Sequence, residues 1–80
     1  MSARTAALIA EMLARRGLGK TLCPSEVARA LAGEAGDWRA RMEDVHGAVD
    51  ELARAGAIVL SWKGAPLARR NGPYRIGLPQ

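Results

Sequence analysis

Among the side chains able to do chemistry, Cys23 and His46 are each the sole residue of their kind. Cys23 stands before Pro24-Ser25-Glu26, a run that opens a helix. A thiol at a helix N-terminus can have its pKa lowered and react or sense oxidants. The competing reading is a buried structural thiol, cysteine being among the most buried residue types. His46 falls near the edge of an apolar helix face with no nucleophile close by in sequence, which fits a boundary residue rather than a catalytic base. One cysteine and one histidine make no zinc site without several carboxylates, and no ligand spacing recurs. Gly19-Lys20-Thr21 matches the end of a phosphate-binding P-loop, but position 14 is Ala14 where that pattern needs glycine, and a helix precedes it instead of a strand. The carboxylate pairs Glu43/Asp44 and Asp50/Glu51 read as a solvated helix face. These residues imply no catalysis, no cofactor and no metal.

The remaining chemistry is charge. All eight acidic residues lie within the first 51 positions, which are close to neutral once their bases are counted. Arg54, Lys63, Arg69, Arg70 and Arg75 follow with no acid among them. Such asymmetry points to an anionic partner for the C-terminal part, nucleic acid first. A solubilising basic surface is the alternative.

The elements that must position these groups follow from periodicity and punctuation. Thr5 can cap a helix running to about residue 16, with Leu8, Ile9, Met12 and Leu13 on one face and Gly17 or Gly19 ending it. Thr21-Leu22 forms a short extended piece. A second helix over about 24–32 begins with Pro24 at its first position and Glu26 placed for a capping box, although cysteine is a poor cap. Asp37 caps a third helix over about 38–55, where Trp38, Met42, Val45, Val49 and Leu52 share a face and Gly56 closes the end. Alternation predicts strands over about 57–62 and 74–78. The intervening residues 63–73 hold two glycines and two prolines and read as an extended loop too irregular for a tight turn.

Three helices and a hairpin with a basic loop predict a mainly α fold with a small antiparallel β-hairpin: a winged helix, with a helix-turn-helix core and a C-terminal wing, in one domain over residues 1–80. Eighty residues bury only about 60% of the unfolded surface, so a partner or a second copy would stabilise the chain. No membrane span and no signal peptide are expected, which places the protein in the cytoplasm. The residues Cys23-Pro-Ser-Glu-Val-Ala-Arg-Ala-Leu31, Trp38-Arg39 with Met42 and Val45, Leu52, Gly56, Ile58, Lys63-Gly64 with Pro66, and Gly72-Pro73 resemble a bacterial family known as domain of unknown function 3253. The resemblance implies a winged-helix-like fold and a bacterial source, and lends no activity or site residues.

Two functions of different class fit. In the first, the chain binds double-stranded DNA through Lys63, Arg69, Arg70 and Arg75 of the wing and its following strand, with Arg39 and Arg41 at the start of the third helix. The outer face of that helix holds Ala40, Glu43, Asp44, Gly47, Asp50, Glu51 and Arg54, a charge of the wrong sign for insertion between phosphate rows. In the second, that acidic face meets a basic protein partner or the wing of a second copy in a homodimer.

Overall fold

The local signals that open and close helices act as their chemistry requires. A computed structural model describes residues 3–80. The first helix, α1, spans Ala3–Arg16 and turns Thr5, Ile9 and Leu13 inward at a spacing of four. Gly17, at φ 91°, donates its N–H to the Leu13 carbonyl at 2.9 Å and stops the helix in the left-handed conformation glycine tolerates. A two-residue strand β1, Thr21–Leu22, leads into α2, Pro24–Ala32. Glu26 accepts a hydrogen bond from the Cys23 N–H at 2.7 Å, the carboxylate half of a capping box, while Pro24 occupies the first turn.

Thr5 does not cap α1. It lies inside the helix, 1% exposed, and its hydroxyl donates to Asp44 Oδ2 at 2.8 Å across the packed helices. The expected long third helix is also divided. Trp38–Arg41 is a single turn of 3-10 helix, followed by α3 over Met42–Arg54. Asp37 caps the tight turn by accepting from the Arg39 N–H at 3.2 Å, and such turns commonly lead into α-helices. At the other end Gly56, at φ 76°, donates to the Ala53 carbonyl, and Ala57 donates to that of Leu52. This paired closure consumes residues 55–57, so the next strand, β2, starts at Val59 and ends at Trp62.

The β portion is a four-stranded antiparallel sheet rather than a two-stranded hairpin. Its order is β1-β4-β2-β3, with β3 at Ala65–Leu67 and β4 at Arg75–Gly77. The expected irregular 63–73 loop begins with a tight two-residue turn: Lys63 and Gly64 both take positive φ, 52° and 82°, between the paired residues Trp62 and Ala65. Two positive φ angles match the twist of antiparallel strands, and Gly64 adopts one without strain. Pro66, which cannot donate to a ladder, sits on the edge strand where no partner is lost. Leu22, Ile76, Leu60 and Leu67 align across the sheet on its core side. They pack with Ile9, Leu13, Val27, Ala28, Val45, Ala48, Val49, Ile58 and Tyr74, giving an α+β fold of three helices on one sheet. Among the described residues no helix is long and apolar enough to cross a membrane.

Two glycines give opposite predictions. A Cβ on Gly36 would lie 2.1 Å from the Ala32 carbonyl oxygen, whereas one on Gly47, within α3, meets nothing within 4 Å. Gly36→Ala should lower unfolding free energy by about 2 kcal/mol. Gly47→Ala should raise it by roughly 0.5–1 kcal/mol. Chemical denaturation of both variants checks the pair, and equal shifts would contradict the close approach at Gly36.

Candidate nucleic-acid interface

The acids of α3 are mostly engaged within the chain. Asp44 accepts from Thr5, and Glu51 pairs with Arg54 at 2.6 Å. Asp50 receives both Nε and Nη2 of Arg70, at 2.7 and 2.9 Å. Such a two-pronged contact fixes the guanidinium in orientation as well as position. The hydrogen bonds from Arg70 hold the Asp50 carboxyl below its ordinary range, and the same bonds raise Arg70. Both side chains are about a third exposed, so solvent screens the pair and its stabilisation stays within about 1 kcal/mol. Of the outer-face carboxylates, Glu43 alone has none of these partners.

The six basic residues singled out from sequence therefore separate into two kinds. Arg70 is turned back on α3. Arg75 is turned onto β1, with Nε 2.7 Å from Thr21 Oγ1 and Nη2 3.3 Å from the Thr21 carbonyl. Arg39, Arg41, Lys63 and Arg69 are exposed and have no carboxylate partner among the described residues. Lys63 stands at the tip of the β2–β3 turn, Arg69 beyond β3, and Arg39 and Arg41 in the 3-10 turn before α3.

One basic residue without a role in the sequence reading joins this set. Arg29, in the last turn of α2, places its guanidinium 4.6 Å from the centre of the Trp38 ring, and Arg39 places its own at 4.5 Å. Arg29 and Trp38 are separated by a glycine-containing turn, and no local pattern signals that they meet.

The other candidate groups make contacts within the chain. Cys23 is half-buried, with Sγ 3.1 Å from the Ser25 hydroxyl. The Glu26 beside it is held below its usual range by hydrogen bonds from Arg16 and from the Cys23 amide. Arg16 also donates to the Thr21 carbonyl at 2.7 Å, so it joins α1 to both β1 and α2. Among the described residues no three His, Cys, Asp or Glu side chains gather as a metal ion requires. His46 Nδ1 lies 2.7 Å from the hydroxyl of Tyr74, which is 4% exposed. Burial pushes the phenol up to about 12, so it stays protonated and can donate to a neutral imidazole. Burial also lowers the His46 pKa, and the charge of Arg70 lowers it further against the opposing effect of Asp50.

That depression gives stability a defined pH dependence. His46 is neutral in the folded chain at pH values where the unfolded chain, titrating near 6.5, already takes up a proton. Stability is then full above that value and declines as pH falls through it toward the lower folded pKa. Asp50 and Glu26, both lowered, lose their contributions only in the more acidic carboxylate range. Thermal melts should show Tm decreasing from about pH 7.5 to about pH 5, with a flatter profile for His46→Gln. Identical profiles for the two proteins would contradict this assignment.

No curated protein matches the chain. A family model described as "Protein of unknown function (DUF3253)" matches residues 2–79, nearly the whole length. The chain belongs to that family.

Proposed function

We propose that this chain is a non-catalytic winged-helix module that binds double-stranded DNA along its phosphates. The element order supports the winged-helix reading: β1 falls between α1 and α2 and pairs with the last strand, and a hairpin follows the third helix. The wing is then the β2–β3 hairpin with the segment returning to β4. The observation that carries the binding reading is the division of charge. Arg39, Arg41, Lys63 and Arg69 are left facing solvent, while Asp44, Asp50 and Glu51 of α3 are satisfied by partners in the same chain. Guanidinium and ammonium groups without carboxylate partners can neutralise phosphates, with release of condensed counterions. The acids that argued against α3 near DNA are, apart from Glu43, neutralised or hydrogen-bonded locally.

The same pairing weakens self-association through the acidic face of α3, because a basic partner would have to displace Arg54 and Arg70 from contacts already formed. Phosphate binding requires no such exchange.

Fluorescence anisotropy with a short mixed-sequence duplex tests the proposal. Binding at low salt should weaken with added salt, with a log–log slope of about −3 to −4 if four phosphates are neutralised. Replacing all four residues, as Arg39→Ala, Arg41→Ala, Lys63→Asn and Arg69→Ala, should weaken it sharply and flatten the salt dependence. Asparagine suits the positive φ at position 63, so that change removes charge without disturbing the turn. No binding by the wild-type chain at low salt would overturn the proposal.

A further inference from the structure

The corner between α2 and α3 holds an arrangement that the free-cation argument does not account for. Two guanidiniums, Arg29 and Arg39, lie over the single indole of Trp38, with their Cζ atoms 4.6 and 4.5 Å from its centre. Like charges gathered at one ring repel each other, and neither has a carboxylate partner among the described residues. Elsewhere Arg15, Arg16, Arg54 and Arg70 each have one. The acids of this corner do not pair with either guanidinium: Asp37 accepts from the Arg39 backbone amide, and Glu34 lines the same groove as Arg29 and Trp38 without an ion pair among the described residues.

A cation held over an aromatic ring is attracted by the ring's face and need not spend its N–H donors on that contact. The ring therefore holds two cations close together without consuming their donors. The positions are also set by backbone: Arg29 belongs to the last turn of α2, Arg39 to the 3-10 turn, and Gly36 is pressed against the Ala32 carbonyl between them. We propose that Arg29, Trp38 and Arg39 form a preorganised phosphodiester-binding platform, with the indole as a positioning residue. This inference rests on the DNA-binding reading and names its anchoring contact. Phosphate oxygens match paired guanidinium donors, so the ligand is the nucleic-acid backbone.

The test uses a Trp62→Phe background, in which Trp38 is the sole indole, titrated with the same short duplex. Trp38 emission should change with the binding isotherm. Arg29→Gln should reduce the magnitude of the salt slope by about 0.9. Trp38→Leu, which leaves the net charge unchanged, should weaken binding roughly fivefold by releasing both guanidiniums. An effect of bulk charge alone would leave Trp38→Leu at wild-type affinity. Trp38 packs against the core, so if Trp38→Leu fails to fold, the exposed Arg29→Gln decides the matter through its salt slope. Duplex binding with unchanged Trp38 emission, or with Arg29→Gln at the wild-type slope, overturns the platform and leaves the DNA reading standing. Absence of any duplex binding by the wild-type chain overturns both.

Discussion

The fold depends on the placement of its last strand at the centre of its sheet. β4 lies between β1 and β2, and Ile76 pairs with Leu22 on one side and Leu60 on the other, with no exposed surface. A strand from the end of the chain thus closes contacts made by segments near its beginning and middle. Loop closure must precede these non-local contacts, so the sheet cannot be complete until the C-terminal residues are in place. Gly77 fits the same constraint. A Cβ there would meet the Lys20 carbonyl, Thr21 and Val59 at 3.6–3.7 Å, ordinary contact with little room beyond it.

This topology also decides what the basic residues do. β3 lies outside β2, whereas β4 lies on its inner side, so the chain must return past α3 to reach the centre. On that return Arg70 meets Asp50 and Tyr74 meets His46. Arg75, once in β4, lies on the face shared with Thr21 and covers the exposed side of the two-residue edge strand β1. Those arginines are bracing because the strand order brings them to acceptors. Lys63 and Arg69, on the outer part of the same excursion, are left to solvent.

What could be read from sequence was whatever is encoded within a few residues. Gly56 as a helix end, Pro24 with Glu26 as a helix start, and the inward set Val45, Val49 and Leu52 follow from periodicity and capping chemistry. The misreadings have longer-range or subtler causes. Thr5 is a natural cap residue by type, but its partner Asp44 is 39 positions away; Arg70 and Arg75 find theirs at separations of 20 and 54. Lys63-Gly64 lacks the Asn-Gly signature of a two-residue turn, so the hairpin it makes looked like loop. The candidate site was half visible for the same reason. Basic residues can be counted in a sequence, but their partners are assigned by topology.

On the proposed reading, the same geometry bears on selectivity. Direct readout needs donors and acceptors free to meet base edges in the major groove. The outer face of α3 offers Ala40 just before it and Gly47 within it, neither with a polar side chain, while Asp44, Asp50 and Glu51 are already satisfied. Apart from Glu43, the groups left for a partner on this side are cations at the α2–α3 corner and the hairpin. Groups of that kind set the register and orientation of a protein on a duplex without reading its bases. Discrimination between sites would then come from the shape and deformability of the DNA, which depend on sequence even where no base is touched.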